Sequence, residues 1–186
     1  MDYYFDITIL PDPEIETAHL LNTLFGKLHI VLAKDANAFS VGVSFPQAPA
    51  GKLSLGTVLR LHGPKANLQN VKDIGWLGGA HGYLKVSEVT ATPIGAKHCA
   101  VRRVQAKSNA ARLRRRLMRR QNIDEVEALK RIPDAIEQRL DLPWVQMRSA
   151  SSGQSFRFFI KQYVTEPATG SFNAYGLSDS GTVPWF

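Results

Sequence analysis

The sequence predicts an α+β fold in two domains. Three observations carry this prediction. Strand-like and helix-like segments alternate through the first half in the order βαββαβ. The segment Pro-Ile-Gly at 93–95 offers a linker. Basic side chains are concentrated in the second half, around one strongly helical segment. The domain boundaries are therefore expected at 1–95 and 96–186.

The first elements follow from local residue patterns. Residues 2–10 are rich in tyrosine, phenylalanine and isoleucine, as is typical of a strand. Asp12 and Pro13 supply an N-cap acceptor and a proline for the first turn of a helix. That helix is expected to bury one apolar stripe, formed by Leu21, Leu24, Phe25, Leu28, Val31 and Leu32.

The remaining elements complete both domains. In the first half we expect strands at 38–45 and 53–62, a short helix at 64–74 and a strand at 82–90. This order predicts a ferredoxin-like fold, which RNA-recognition (RRM) domains share, although a fold alone assigns no function. The smaller C-terminal α/β domain is expected to contain a strand near 97–106, helices at Asn109–Gln121 and Asp124–Arg131, and short strands at 144–149, 155–163 and 172–176.

Composition excludes several classes of protein. The chain has 186 residues, of which 44% are hydrophobic and 21% charged, as in globular proteins. No apolar run approaches the roughly 18 residues needed to span a bilayer, and the N-terminus lacks the features of an export signal. The single cysteine, Cys99, excludes an internal disulfide and a Cys-rich zinc site. We expect a cytoplasmic protein that acts as a monomer and does not span a membrane.

Charge carries the strongest functional signal. The net charge is +7, but residues 1–95 carry −1 and residues 96–186 carry +8. Within 97–120 there are ten basic side chains and no acidic one. Concentrated charge of one sign repels itself unless a polyanion neutralises it. Nucleic acid is the first candidate, and an anionic membrane surface is the second.

Arginines occupy one side of the helix predicted after Asn109. At 100° per residue, five of them fall within an arc of about 140°, and Leu113 and Leu117 lie beside that arc. A solvated charged face usually mixes both signs, and arginine suits bidentate contacts with phosphates and guanine edges. The pattern favours nucleic-acid binding over a solvated face. The arginines of this face are Arg112, Arg115, Arg116, Arg119 and Arg120.

Upstream of this helix, Arg103 and Gln105 are two residues apart. In a strand that spacing places both side chains on one face. Arginine matches guanine and glutamine matches adenine, so the pair could read bases. Contact with phosphate or solvent is the alternative, and the residues alone do not separate the two.

The sequence favours chemistry without a metal or other cofactor. It contains no HExxH motif and no His/Cys set with ligand spacing. RNA offers another route, because its 2′-hydroxyl can attack the adjacent phosphorus when a side chain moves the proton. Histidine suits that proton transfer. His29 lies at the border of the apolar stripe, and His98 adjoins the basic stretch. A packing role for His29 is the alternative, and the pattern leaves this open.

The segment Arg148–Gln154 is a serine-rich turn without a nucleophile elbow or a visible triad. One of its serines could position a ribose hydroxyl, or the serines could simply form the turn. Phe156 could be a core residue or an exposed platform for a base.

Several motifs together resemble the type I-F CRISPR repeat-RNA processing endoribonucleases. The motifs are LFGKLH and GVSFP in the first half, then RRVQAKSNAARLRRRLMRRQN, KRIPDAIEQRLDLPWVQMRSASSGQSFRFFI and the final NAYGLSDSGTVPWF. The resemblance spans nearly the whole chain and is weakest at 46–96. It implies an enzyme that cuts CRISPR precursor RNA at the 3′ foot of each repeat hairpin without a metal. It further implies a 2′,3′-cyclic phosphate product, retention of the guide RNA, and partner subunits in the type I-F surveillance complex.

The resemblance also implies residue roles. The catalytic residues would be His29, Ser149 and Tyr175: the histidine moves protons, the serine holds the 2′-hydroxyl, and the tyrosine orients the histidine. The RNA-binding residues would be Arg103, Gln105, Lys107, Arg112, Arg115, Arg116, Arg119, Arg120, Ser151 and Phe156. Ser155 departs from the expected pattern, in which a histidine precedes the stacking aromatic.

Two other functions stay open at this point. The first is a non-catalytic subunit of a CRISPR effector complex that only binds the RNA hairpin. The second is a DNA-binding regulator that inserts the arginine helix into a B-form major groove.

Overall fold

The computed structural model describes residues 1–34, 40–105, 110–134, 140–149 and 153–186. In chain order, its elements are β1 (Tyr3–Ile9), α1 (Thr17–Lys34), β2 (Gly42–Ser44), β3 (Val58–Gly63), α2 (Lys65–Asp73), β4 (Leu84–Val86), β5 (Thr90–Ala91), β6 (Lys97–Val104), α3 (Ala110–Gln121), α4 (Glu125–Arg131), β7 (Trp144–Arg148), β8 (Ser155–Thr165) and β9 (Val183–Trp185). The expected α+β class is confirmed.

These strands form two antiparallel sheets. The first has the order β2-β3-β1-β4, with β5 also paired to β1. The second has the order β7-β8-β6-β9. The first half of the chain therefore runs β1-α1-β2-β3-α2-β4, in the expected order of elements.

Alternation along β1 explains the two faces of the first sheet. Phe5, Ile7 and Ile9 are buried, and the residues between them are more exposed, because successive side chains point to opposite faces of a strand. On the opposite face, the Asp6 carboxylate accepts two hydrogen bonds from the Arg60 guanidinium, at 2.7 and 2.9 Å. The pairing is bidentate, a geometry that suits a partly buried ion pair.

The predicted stripe of α1 forms the main apolar contact of the helix. Leu21, Leu24, Phe25, Leu28 and Leu32 are buried, as expected from their spacing. They belong to one hydrophobic core that also contains residues of the second sheet, including the buried Phe158 on β8. The buried Phe172, which lies between β8 and β9, belongs to the same core.

Three local predictions were wrong. Helix α1 begins at Thr17, because the Asp12 carboxylate accepts from the backbone N–H groups of Glu14 and Ile15 and forms a turn instead. The expected strand at 82–90 is divided between a 3₁₀ turn, β4 and β5. The expected strand at 172–176 is a tight turn. By contrast, the helix expected at Asp124–Arg131 is confirmed as α4. Asp124 is its N-cap, and the Asp124 side chain accepts from the N–H of Glu127 at 2.8 Å.

The chain divides into two compact units. One comprises residues 1–103 and 142–186, and the other comprises residues 104–141, which contain α3 and α4. Both halves of the chain contribute to the first unit, so the division into domains 1–95 and 96–186 stays a prediction. Among the described residues, no helix is long and apolar enough to cross a membrane.

Candidate functional site

An open groove of about 1020 Å³ lies in the first unit, along α1 and beside β7. Four of the residues singled out from the sequence line it: His29, Ser149, Phe156 and Tyr175. Strand β7 is tied to α1 here, because the N–H of Gln146 donates to the Asn22 side-chain oxygen at 2.8 Å. Residues far apart in the chain therefore meet in one groove.

His29 is half-buried in this groove and has a defined orientation. Its Nδ1 lies 2.9 Å from the backbone carbonyl oxygen of Ala174. A carbonyl oxygen only accepts hydrogen bonds, so Nδ1 carries a hydrogen and donates it. In the neutral imidazole, Nε2 is then unprotonated and can accept a proton.

Tyr175 lies face to face with His29. The ring centroids are 3.7 Å apart and the planes are inclined by 8°. Phe25 lies one helical turn before His29 on α1. Its ring is stacked with the same tyrosine, with the centroids 6.3 Å apart and the planes inclined by 16°. The ring of Phe158 also packs against Tyr175, with the two ring centroids 4.7 Å apart. The tyrosine is thus held by two phenylalanines, and it limits rotation of the imidazole.

Ser149 follows directly after β7 and borders the same groove. Its N–H donates to the carbonyl of Gln154, and its carbonyl accepts from the N–H of Gly153, both at 2.9 Å. Gly153 has a φ of 67°, a conformation that favours glycine. These backbone bonds fix the position of Ser149 at the base of the turn. Ser151 lies outside the described residues.

Phe156 is half-buried on β8 and lines the groove. The guanidinium carbon of Arg103, on β6, lies 5.7 Å from the centroid of its ring and 4.6 Å from that of Phe158. Distances of this order permit a cation–π interaction. The exposed Arg103 side chain is therefore braced against two aromatic rings next to the groove.

Gln105 is exposed and lies one residue beyond β6, which ends at Val104. The expected strand face shared by Arg103 and Gln105 therefore ends before Gln105, and a joint role of the two stays a prediction. Lys107 lies outside the described residues.

Helix α3 lies in the second unit and exposes the predicted arginine face. Arg112, Arg115, Arg116, Arg119 and Arg120 are all exposed. The remaining arginine of the helix, Arg114, is mostly buried: it pairs with Asp134 and donates to the carbonyl of Ile132. Within the described part of the chain, no carboxylate forms an ion pair with Arg115, Arg116, Arg119 or Arg120.

Arg114 thus differs from its neighbours in its contacts. It anchors α3 to the segment after α4, whereas the exposed arginines present a broad cationic face to solvent. Because like charges on neighbouring turns destabilise a helix, this arginine face lowers the stability of α3 when no anion is bound.

His98 is placed away from the groove, in β6 against β9. Its Nδ1 forms a hydrogen bond with the hydroxyl of Thr182 at 3.0 Å, and it lines a different cavity of about 300 Å³. Burial, and then the N-terminal ammonium, lower the pKa of His98 below its ordinary value. Next to it, burial raises the pKa of the Cys99 thiol to about 12, so the thiolate is absent at neutral pH.

Sequence reasoning missed several residues that build this site. Asn22, the Ala174 carbonyl and Phe158 all support the groove or its histidine. A backbone carbonyl has no sequence signature. The Asn-Ala-Tyr-Gly segment at 173–176 does begin with an asparagine and end with a glycine, two residue types that are common in turns. It marks where that carbonyl turns towards α1. Among the described residues, no group of three or more His, Cys, Asp and Glu side chains is arranged to hold a metal ion.

Fold and site together define an α+β protein with an oriented histidine in an open groove and an arginine face on a separate helix. Comparison with known proteins extends this description. The chain matches the family described as CRISPR-associated protein (Cas_Csy4) over residues 4–186. It therefore belongs to the Csy4 family of CRISPR-associated proteins, and the resemblance stated from its motifs is confirmed.

Two relatives are similar over their full length. The CRISPR-associated endonuclease Cas6/Csy4 of Pseudomonas aeruginosa (strain UCBPP-PA14) is 45% identical over 188 aligned positions, covering 100% of both chains. The CRISPR-associated endonuclease Cas6/Csy4 of Escherichia coli (strain UTI89 / UPEC) is 41% identical over 188 positions, again covering 100% of both chains.

Proposed function

We propose that this protein is a metal-independent endoribonuclease that processes CRISPR precursor RNA. It binds the repeat hairpin, cuts at the 3′ foot of the stem, and stays bound to the mature guide RNA. The observation that carries the proposal is the orientation of His29 by Ala174 and Tyr175, in the groove that Ser149 also borders. Membership of the Csy4 family and the endonuclease names of its relatives support the same activity.

The proposed reaction is a transesterification within the RNA. The 2′-oxygen loses its proton and forms a bond to the adjacent phosphorus, while the bond from phosphorus to the 5′-oxygen breaks. The leaving 5′-oxygen takes up a proton, so the products are a 2′,3′-cyclic phosphate and a 5′-hydroxyl. Nε2 of His29 is the nitrogen that exchanges protons with the RNA, because Nδ1 is engaged with Ala174. Nε2 is the nitrogen involved whether His29 acts as a base that removes the 2′-proton or as an acid that protonates the 5′-oxygen.

Ser149 holds the attacking hydroxyl in this proposal, and Tyr175 keeps the imidazole aligned. The fixed backbone of Ser149 supports the first role, and the parallel rings support the second. Holding the hydroxyl in line with the leaving oxygen lowers the entropic part of the barrier. Ser151, two residues further along the chain, is expected to contact RNA near the cut.

Binding of the hairpin is assigned to the arginine face of α3, with Lys107 as a further basic contact. Exposed arginine side chains can each pair with a phosphate and release its counterions. Arg103 and Gln105 read base edges at the foot of the stem, where Phe156 stacks on the last base pair. The order of elements in the first sheet supports a ferredoxin-like N-terminal domain as the scaffold. One protein copy per hairpin then joins other subunits of the type I-F complex.

The decisive experiment incubates the protein with its repeat RNA in excess EDTA. We expect cleavage at one linkage, with a cyclic phosphate on the upstream product. A matched RNA with one 2′-deoxy sugar at the cut should bind equally well and stay intact. Binding without cleavage of the all-ribose RNA, with or without Mg²⁺, would instead identify a hairpin-binding subunit. A preference for duplex DNA would identify a DNA-binding regulator.

A further inference from the structure

We propose that Asn173 is a positioning residue that sets the tautomer of His29 through the backbone carbonyl of Ala174. This inference deepens the proposed function, because it rests on proton transfer by the imidazole. It also makes a statement about the protein alone, since the tautomer can be measured without RNA.

The side chain of Asn173 closes the turn that carries both contacts to the imidazole. Its Oδ1 accepts from the N–H of Tyr175 at 2.9 Å and from the N–H of Leu177 at 3.2 Å. Its own N–H donates to the carbonyl of Leu177 at 3.0 Å, and its carbonyl accepts from the N–H of Gly176 at 2.8 Å. One asparagine thus takes part in four hydrogen bonds across five residues, as in an Asx turn.

The turn is also fixed from outside. The carbonyl of Gly176 accepts from the N–H of Val43 on β2 at 2.8 Å. Gly176 has a φ of 70°, and a Cβ added there would come within 2.6 Å of a methyl group of Val43. Before and after the turn, Phe172 and Ser178 are joined by an antiparallel bridge, and both are buried. The turn is thus anchored on both sides of its tip, which is formed by residues 174 and 175.

That tip makes two different contacts with one imidazole. The carbonyl of Ala174 accepts from Nδ1 at the ring edge, and Tyr175 covers the ring face. Ala174 itself has no side-chain polar group that could fix its peptide plane. The plane between Ala174 and Tyr175 is instead fixed by the N–H of Tyr175, which belongs to that same peptide unit and donates to Asn173.

The consequence for the histidine follows from this shared peptide unit. In a planar trans peptide the C=O and the N–H point in opposite directions. The hydrogen bond from the N–H of Tyr175 to Asn173 therefore directs the carbonyl of Ala174 towards Nδ1 of His29. Without it the peptide can rotate, and the imidazole can place its hydrogen on Nε2. A neutral imidazole with its hydrogen on Nε2 cannot accept a proton there from a ribose hydroxyl.

The test compares Asn173→Ala with the isosteric Asn173→Asp, which keeps an acceptor oxygen at the same position. In the RNA-free full chain, ¹⁵N NMR of the His29 ring should show hydrogen on Nδ1 in the wild type and in Asn173→Asp. Asn173→Ala should show a mixture of both tautomers. On the repeat hairpin RNA, the single-turnover rate should fall by roughly 10-fold to 100-fold in Asn173→Ala and recover in Asn173→Asp. Affinity for a 2′-deoxy hairpin should stay unchanged in both.

The possible results separate this inference from the proposed function. A wild-type ring with its hydrogen on Nε2 overturns the inference even if Asn173→Ala does not fold. So does a folded Asn173→Ala with an unchanged tautomer. If the tautomer responds as expected but the wild type cuts no RNA, the inference stands and the proposed function fails. An affinity loss equal to the rate loss would overturn the positioning role and assign Asn173 to general stability of the turn.

Discussion

The imidazole of His29 and the phenol ring of Tyr175 are parallel, with centroids 3.7 Å apart. This relationship joins α1 to a turn near the C-terminus, and it explains why the histidine is held although it is only half-buried. Stacking fixes the plane of the ring, and the bond from Nδ1 to Ala174 fixes its rotation within that plane. In the proposed function, Nε2 is then the nitrogen that exchanges protons with the RNA.

Two substitutions of Tyr175 distinguish the contribution of its ring to cleavage from that of its hydroxyl. Tyr175→Phe keeps the stacked ring, so we expect cleavage within about twofold of wild type if the ring alone positions His29. Tyr175→Ala removes the stack and should slow single-turnover cleavage by roughly 10-fold or more. Rates are measured at a temperature where circular dichroism shows both variants folded. A slow Tyr175→Phe variant would instead give the hydroxyl a direct role.

Replacing His29 tests its assignment against the rival His98. His29→Ala should reduce the cleavage rate by roughly 10²-fold to 10⁴-fold, the contribution of a general acid or base. Hairpin affinity, measured by filter binding, should stay nearly unchanged. His98→Ala is the matched control and should cut normally, because His98 lines a different cavity. A large drop in affinity in His29→Ala, or an inactive His98→Ala, would refute the assignment.

Removing two arginines tests the cationic face of α3. The double variant Arg115→Ala/Arg119→Ala should weaken hairpin binding. It should also reduce the slope of log K against log salt by about 1 for each phosphate that the variant no longer neutralises. Lys52→Ala/Lys85→Ala removes the same charge from two exposed positions in the first unit, and its salt slope should match the wild type. Equal slopes in the two double variants would exclude α3 as the docking element.

A buried histidine should make the fold sensitive to acid. His62 is fully buried, and its Nε2 lies 2.8 Å from the hydroxyl of Ser44. Burial, with smaller contributions from Arg60, the N-terminal ammonium and His98, lowers the pKa of His62 well below 6.5. The folded state therefore keeps this imidazole neutral at a pH where the unfolded chain binds a proton.

The lowered pKa of His62 determines how the free energy of unfolding changes with pH. The contribution of His62 to stability is present above pH 6.5 and is lost as the pH falls below it, by about 1.4 kcal/mol per pH unit. Urea unfolding across this range should show the loss, and His62→Gln should make the dependence flatter. His98→Gln leaves the buried imidazole of His62 in place and should retain most of the pH dependence of the free energy of unfolding. An unchanged slope in His62→Gln would show that other groups cause the acid sensitivity.

Local patterns predicted those parts of the protein that depend on neighbours in the chain. The stripe of α1 and the arginine face of α3 were both confirmed, because a period of 3.6 residues is visible without any tertiary contact. Helix boundaries were harder to predict, as Asp12 shows: its carboxylate can cap a helix or close a turn, and in the structure it closes a turn. The strand expected at 172–176 was wrong for a similar reason, since its apolar residues serve a turn that reaches α1.

The chain alone thus specified an α+β protein with a cationic helix and a histidine at the edge of an apolar stripe. It could not show that the carbonyl of Ala174 would meet that histidine, because the two residues are 145 positions apart. Contacts of that kind arise only when the two sheets share one core and bring the C-terminal turn onto α1. Charge and periodicity are properties of short segments, whereas the orientation of the His29 ring depends on packing between distant parts of the chain.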